Sequence, residues 1–412
     1  MPHPTVATSR RLEDVRYDIR GPLSRRAHEL EAAGKPILRL NIGNPGLFGF
    51  RVPQHLRDAI ATALPKSEAY CHQQGLLEAR EAVAAQHRRN GAEARPEHVF
   101  IGNGVSELID LSLRALLDAG DEVLVPAPDY PLWTAATRLN GGVPLHYPCP
   151  PERAHLPDPA EIEAMVTPRT RALVIINPNN PTGAVYPREL LAALVDVARR
   201  HRLVLLCDEI YDSVLYDGAA FTPLAPLAGE TPCISYGGLS KVHLACGYRV
   251  GWLSVTGHEH RVHDLVRALD LLASLRLCSN VTAQWAIRPA LEGPNEIGAL
   301  TRPGGRLHAA RAAVVDAVER SEFLRMVAPD GALYAFPGVD PERLPGFDDA
   351  AFALDLLEHE QIILVPGSSF NIAARNHFRL TLLPEPAVLA DALARIEREL
   401  ARIARNAARR VA

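Results

Sequence analysis

Leu203-Val204-Leu205-Leu206-Cys207-Asp208-Glu209-Ile210-Tyr211 decides the fold class. The apolar residues run without polar alternation and then stop at a carboxylate. A strand with one face in water alternates, whereas an unbroken run of this length fits a strand buried on both faces of a parallel sheet. Asp208 falls where such a strand ends, and functional side chains of open parallel sheets collect at that edge. A carboxylate directly behind apolar residues is partly desolvated and calls for a cationic partner. It could equally end the strand and cap the next element, and this segment alone leaves both readings open.

The same pattern repeats outward. Residues 99–101, 122–125, 173–176, 234–236 and 252–255 read as further strands, with helical stretches at 106–119 and 188–200 between them. Strand–helix alternation at this spacing predicts an α/β fold, a mostly parallel sheet flanked by helices. A long helix over 265–277 leads away from it. After the breaks at Gly293-Pro294 and Pro303-Gly304-Gly305, the chain reads as a smaller α+β unit, with strands near 333–336, 362–365 and 378–382 and a terminal helix. The expected organisation is an N-terminal arm and lid over 1–45 that packs with the small domain, a large domain over 46–292 and a small C-terminal domain over 293–412. The arm carries a helix over 23–33, and the proline-rich stretch 144–159 reads as a surface loop.

At 412 residues with a net charge of −4, the chain has no basic footprint for nucleic acid or an anionic membrane. The cysteines, Cys71, Cys149, Cys207, Cys233, Cys246 and Cys278, make no Cys-x-x-Cys pair. Scattered in this way they read as reduced residues of a cytoplasmic protein. No secretory signal, membrane span or metal site is expected.

Lys241, in Gly238-Leu239-Ser240-Lys241, is one of three lysines, while the basic residues number 44. Almost all the others are arginine, which cannot lose its proton near neutral pH and form an imine with an aldehyde; a desolvated lysine can. Lys35 and Lys66 lie in ordinary polar surroundings. Other polar groups stand at strand ends: Tyr130 in Pro126-Ala127-Pro128-Asp129-Tyr130-Pro131, Asn180 in Asn177-Pro178-Asn179-Asn180-Pro181-Thr182-Gly183, and Gly104-Val105-Ser106 at the opening of a helix. Small residues at a helix N-terminus suit a phosphate. The turn by itself reads equally as a tight connection capped by Ser106. It is not the dinucleotide fingerprint, because the third glycine is missing.

Asn179-Asn180-Pro181-Thr182-Gly183, Asp208-Glu209-Ile210-Tyr211, Ser240-Lys241 with Gly247-Tyr248-Arg249, and Phe378-Arg379 occur in one order and spacing. On these motifs the chain resembles the class I/II aminotransferases, pyridoxal-phosphate enzymes of the aspartate aminotransferase fold (fold type I), over nearly its whole length. Three further stretches resemble the bacterial alanine aminotransferases within that family: Tyr17-Asp18-Ile19-Arg20-Gly21-Pro22, Leu40-Asn41-Ile42-Gly43-Asn44-Pro45 and Pro128-Asp129-Tyr130-Pro131-Leu132-Trp133-Thr134.

The resemblance implies roles. Lys241 would form the internal aldimine with pyridoxal 5′-phosphate and then move the Cα proton. Asp208 would pair with the pyridine nitrogen, which keeps the ring an electron sink. Tyr211 and Asn180 would bond the ring 3′ oxygen, and Tyr130 would stack on the ring. Arg249, Ser240 and the Gly104, Val105 and Ser106 backbone would hold the phosphate, with Tyr70 reaching the phosphate of the neighbouring subunit of a homodimer. Arg379 would clamp the substrate α-carboxylate, with Gly43 and Asn180 assisting. That clamp would set Cα–H perpendicular to the ring and favour proton loss over decarboxylation. Many relatives have serine where Gly238 stands, a loss of roughly 1 kcal/mol of phosphate bonding, but the alanine-type subgroup tends to have glycine too.

The implied activity moves an amino group between a small amino acid, L-alanine first, and 2-oxoglutarate. Tyr17 and Arg20 would belong to a lid near the substrate. Arg20 is one candidate for a distal carboxylate, although it could instead cap the following helix or meet solvent. Arg276 does not match the position that aspartate-type relatives use. The main alternative is another reaction of the same cofactor on an amino acid: elimination, decarboxylation, racemisation or oxidation. A ligand-sensing domain of a transcription regulator is not expected, since the N-terminal stretch reads as too short for a winged helix and carries no basic stripe, and a nicotinamide-dependent dehydrogenase lacks its fingerprint.

Overall fold

In the structure, a computed structural model that describes residues 6–13, 15 and 21–411, the run that ends at Asp208 is a central strand. The sheet comprises β1 (Val99–Gly102), β2 (Glu122–Ala127), β3 (Val143–Pro148), β4 (Thr170–Ile176), β5 (Val204–Asp208), β6 (Cys233–Gly238) and β7 (Gly251–Thr256). Their spatial order is β1-β7-β6-β5-β4-β2-β3. All neighbours are parallel except β7, which runs antiparallel to both β1 and β6.

Burial on both faces explains the absence of polar alternation in the inner strands β4 and β5. Leu205 and Cys207 join Leu173 and Ile175 against α3 (Arg188–His201), through Leu191, Leu194 and Val195. The intervening residues, Leu206, Val174 and Ile176, face the other way, against α1 (Val105–Leu116) and α4 (Glu259–Leu275). Helix α1 begins at Val105, after its N-cap Gly104, and carries Leu108, Ile109, Leu111 and Leu113 on its buried side. Helix α4 begins at Glu259, well before the 265 expected from sequence, because residues 259–264 add Val262 to the same buried stripe.

The stretch 144–159 is not one surface loop. Its first residues form β3, which pairs with β2 from Glu122↔Val143 to Ala127↔Pro148. An edge strand bonds on one side only, so Pro144 and Pro148 are tolerated there. The stretch ends at Asp158, whose carboxylate caps the short helix Pro159–Ala164 by accepting from Ala160 N.

The C-terminal part assembles α5 (Arg306–Glu319), α6 (Asp349–Glu360) and α7 (Pro386–Val411) around short strands. Phe378–Thr381 is central there, antiparallel to Tyr334–Ala335 on one side and Val365–Pro366 on the other. The N-terminal segment is tied to this part. Leu38–Arg39 pairs with Ile362–Ile363. The helix Pro22–Ala32 packs Ala27 and Leu30 on Leu357 and Ile363, and Arg26 bonds Glu358. All six cysteines are free. Among the described residues no helix is long and apolar enough to cross a membrane.

The sheet's two-sided burial predicts unequal costs of truncation. Ile175→Ala, at a fully buried site in β4, should lower the denaturant-derived stability of the cofactor-free protein by about 3 kcal/mol. Leu354→Ala on the half-open face of α6 should cost under about 1 kcal/mol. Equal losses would contradict this placement of the core.

Candidate active site

Because β1, β2, β4, β5 and β6 point the same way, their C-terminal ends deliver Asn103-Gly104, Tyr130, Asn180, Asp208 and Ser240-Lys241 to one side of the sheet. Short strands of the C-terminal part add Tyr334 and Arg379 from the opposite wall. Between them lies a cavity of about 610 Å³. Of the residues expected at the site, it is lined by Gly43, Val105, Ser106, Tyr130, Asn180, Asp208, Tyr211, Ser240, Lys241, Arg249 and Arg379. Tyr70 is not among them; it is 79% exposed on the surface. Tyr17 and Arg20 lie outside the described residues. Arg276 is also away from the cavity, donating to Ile101 O at 2.8 Å and lying 3.6 Å from Glu107.

Lys241 Nζ donates to Gly43 O at 2.7 Å and lies 3.8 Å from Cys246 Sγ. Burial disfavours its charge, but the Tyr334 hydroxyl and the Cys246 thiol outweigh burial and raise its pKa above the ordinary lysine value. In the chain alone this is the reverse of a lysine that sheds its proton through desolvation. The expected ease of deprotonation therefore requires a partner that replaces the ammonium's contacts. Gly43 is constrained from the other side: a Cβ there would land on the Tyr334 hydroxyl.

The β1–α1 turn is an anion cradle in its geometry. Gly104 has φ +85°, and a Cβ on it would strike the Arg249 guanidinium. The N-cap of α1 is Gly104 itself, with no side-chain cap, so Ser106 is not the cap; it lines the cavity. Arg249 is steered by its own bonds to Cys246 O at 3.0 Å and Asn103 O at 3.3 Å. Free backbone N–H groups at a helix N-terminus beside a guanidinium favour a phosphate-like anion. Gly251 permits this approach, since a Cβ there would come within 2.6 Å of Val105 N. Gly238 is equally confined, with a Cβ falling 2.9 Å from Val250 O. Glycine at that position is what the local packing accommodates.

Asp208 is 3% exposed. It accepts from Ile210 N at 3.3 Å and Trp133 Nε1 at 3.4 Å. Burial pushes its carboxyl up to about 6, against the opposing pull of these bonds and Lys241. Among the described residues it forms no salt bridge. A nearly buried carboxylate open to a cavity and held by two long bonds fits a protonated ring nitrogen better than it fits an empty site. With the cradle for an anion and Lys241 for an aldehyde, the residues present fit pyridoxal phosphate.

Arg379, only 1% exposed, forms the opposite wall. Its guanidinium donates to Asn180 Oδ1 at 2.9 Å and Asn41 O at 2.7 Å, and Nε has no partner. It lies 4.1 Å from the Tyr334 ring centre and 4.9 Å from that of Phe370. The Tyr334 hydroxyl accepts from Tyr211 at 3.3 Å. Burial pushes the Tyr334 hydroxyl up, but Lys241 and Arg379 outweigh it and hold it below the ordinary tyrosine range. Burial holds Tyr211 well above that range.

The sequence reading missed Tyr334, Trp133 as a partner of Asp208, and Phe370. Tyr334 sits in an apolar run that reads only as a strand. The one sequence signal was Gly43, a glycine inside a stretch that runs against another element.

The family model "Aminotransferase class I and II" matches residues 35–396. The alanine aminotransferase of Mycobacterium tuberculosis is 48% identical over 392 residues, covering 95% of this chain and 91% of the relative. The glutamate-pyruvate aminotransferase AlaA of Escherichia coli K12 is 45% identical over 380 residues, covering 92% and 94%. Among solved structures, an aminotransferase from Escherichia coli superposes with a TM-score of 0.95 at 44% identity, covering 97% of this chain and 99% of that one. The alanine aminotransferase from Pyrococcus furiosus superposes at 0.91 with 34% identity, covering 96% and 100%. The cavity's chemistry and these matches lead to one conclusion: the chain belongs to the class I and II aminotransferases, enzymes that depend on pyridoxal phosphate.

Proposed function

We propose that the chain moves an amino group between a small amino acid, L-alanine first, and 2-oxoglutarate, with the cofactor carried on Lys241 Nζ. One observation carries the proposal: Lys241, Asp208 and Arg379 face a single cavity from different walls. The relatives' names, alanine aminotransferase and glutamate-pyruvate aminotransferase, support the substrate pair. Glutamate that gives up its amino group becomes 2-oxoglutarate, and pyruvate that gains one becomes alanine.

Pyridoxal phosphate, when bound, supplies an aldehyde that takes the amino group and a ring that draws electron density from Cα. The residues do the rest. Asp208 holds a proton at the ring nitrogen's position through a charge-assisted bond. Gly104, Val105, Ser106, Ser240 and Arg249 would bind the phosphate, Tyr130 would face the ring, and Tyr211 and Asn180 would bond its 3′ oxygen. Lys241 Nζ, beside Gly43 O and freed once the substrate's amino group has displaced it, would take the Cα proton and, in the acceptor half, give a proton back to Cα. Arg379 receives the substrate carboxylate as a bidentate pair, with the Gly43 backbone and Asn180 beside it. The same fork orients Cα–H toward Lys241, which favours proton transfer over loss of the carboxylate. Tyr17 and Arg20 remain our candidates for the substrate lid.

We also propose a homodimer with shared sites, in which Tyr70 reaches the partner's phosphate. Its exposure together with that of Leu271, Leu275 and Leu277 supports an apolar contact face. Free cysteines fit a reducing compartment, and we place the protein in the cytoplasm.

Four variants test the site. Lys241→Ala should abolish the visible absorbance of the purified protein and lower turnover of L-alanine with 2-oxoglutarate by about 1000-fold or more. Retained turnover would contradict the assignment. Arg379→Lys should raise KM for every amino acid roughly tenfold to a hundredfold, because an ammonium cannot reproduce the fork. An unchanged KM would refute the clamp.

Asp208→Asn should bind the cofactor and turn over poorly, yet stabilise the cofactor-free chain. Its carboxyl titrates near 6 in the folded chain against 3.8 ordinarily, so the folded state loses stability as pH rises through that window. The shift corresponds to about 3 kcal/mol above pH 7. Denaturation of the cofactor-free proteins should therefore favour the variant at pH 8 and show little difference at pH 4. An equal difference at both pH values would contradict the buried charge. Finally, Tyr70→Ala should weaken phosphate retention, read as faster cofactor loss on dialysis, while leaving L-alanine KM nearly unchanged. Wild-type retention would remove Tyr70 from the site.

A further inference from the structure

Two polar residues of the Pro128–Thr134 stretch have no part in the chemistry above: Asp129 and Thr134. Asp129 is fully buried directly before Tyr130, which lines the cavity. Its Oδ2 accepts from Thr134 Oγ1 at 2.7 Å, so the carboxylate closes the turn that presents Tyr130. Its Oδ1 accepts from Asn371 Nδ2 at 2.8 Å. Asn371 Nδ2 also reaches Thr134 Oγ1 at 3.2 Å, and Asp129 N donates to Phe370 O at 3.1 Å. Three bonds thus join the turn after β2 to residues 370–371, which come from the C-terminal part of the chain.

The far side of this junction carries the carboxylate clamp. Phe370 packs on the Arg379 guanidinium and meets Phe336 edge-on. Tyr130 and Ile42 pack against the cluster of Phe336, Val365 and Phe370. The turn Gly367–Phe370 is fixed at its other end, where Ser368 N donates to Asp349 at 2.6 Å and Ser368 Oγ at 3.1 Å. Asn371 has φ +59°, a left-handed conformation that asparagine tolerates and that aims its amide back across the junction. Thr134 Oγ1 in turn lies 2.8 Å from His146 Nε2 on β3, so the network ends on the sheet edge.

We infer that Asp129 and Asn371 are positioning residues for the reaction: their bond sets the spacing between the Tyr130 ring and the Arg379 guanidinium. A bound substrate must place its carboxylate on Arg379 and its Cα against the group that Tyr130 faces, so this spacing fixes whether one molecule reaches both. The inference rests on the site reading given above, in which Tyr130 faces the cofactor and Arg379 the carboxylate. The network needs an acceptor facing Asn371 and does not depend on a fixed charge. Burial pushes the Asp129 carboxyl up to about 7, and an amide in its place keeps an oxygen for Asn371 and gains a donor toward Thr134.

The test uses the holoenzyme and a set of variants. Asn371→Gly removes the amide without straining the left-handed backbone. It should raise KM for both L-alanine and 2-oxoglutarate roughly tenfold, with kcat within about twofold, because a small misplacement of the clamp weakens binding in the reacting geometry. Propionate, a carboxylate that lacks the amino group, serves as an unreactive probe. The concentration of propionate needed to shift the cofactor absorbance band should rise by a similar factor, while cofactor retention and melting temperature stay near wild type. Asp129→Ala should behave like Asn371→Gly, and Asp129→Asn should restore the wild-type KM and propionate titration.

Arg379→Lys, measured in parallel, separates the two claims. If Arg379→Lys raises KM and weakens propionate binding while Asn371→Gly changes neither, the positioning inference is overturned and the clamp stands. If Arg379→Lys itself changes neither, the site reading fails first. A rise in KM accompanied by matching losses of cofactor retention and melting temperature in Asn371→Gly, with Asp129→Asn no better than Asp129→Ala, would mean a merely structural network and would also overturn the inference.

Discussion

The buried guanidinium of Arg379 is the constraint around which the cavity is organised. A charge this far from water must be solvated by the protein or it will not stay. Here a backbone oxygen of Asn41, the side-chain oxygen of Asn180 and the faces of Tyr334 and Phe370 supply that solvation. These groups come from the N-terminal segment, the turn after β4 and two places in the C-terminal part. One cation therefore holds separate pieces of chain in register while lining the cavity. The position of Tyr334 follows: it covers Arg379 with its ring and sends its hydroxyl to Tyr211 and over Gly43.

Across the cavity the electrostatics are the mirror image. Asp208 is an acceptor left without a salt bridge among the described residues, lifted toward neutrality by burial. The cradle at Gly104 and Arg249 presents donors to an anion. The chain alone therefore stores unfavourable terms on both walls. A ligand that brings a cationic ring nitrogen, an anionic phosphate and an aldehyde relieves them together. Such a ligand would add to the fold's stability as well as supply its chemistry.

Much of this was legible in the sequence, for identifiable reasons. The inner strands are buried on both faces, so β4 from Ala172 and β5 up to Cys207 appear as unbroken apolar runs whose ends mark the site. Lys241 stood out because lysine is so scarce in this chain. The edge strand β3 was hidden by its prolines, which are compatible with one-sided pairing but look like loop. Tyr334 was hidden because a short strand of apolar residues does not reveal which side chain turns inward. The Asp129–Asn371 bond joins residues far apart in sequence, and nothing local in either segment announces it. The order of motifs from Asn180 to Arg379, more than any single one, identified the family, which the matching family model and relatives show. The expectations for Tyr17 and Arg20 fall outside the described residues.

The central claim is that the side chain of Lys241 carries the vitamin-derived aldehyde. Borohydride reduction of the purified holoenzyme, followed by proteolysis and mass mapping, tests it directly. The account predicts that the peptide containing Gly238-Leu239-Ser240-Lys241 gains the mass of a reduced pyridoxyl phosphate, at Lys241 and at neither Lys35 nor Lys66. An unmodified Lys241 in a protein that still transaminates would contradict it.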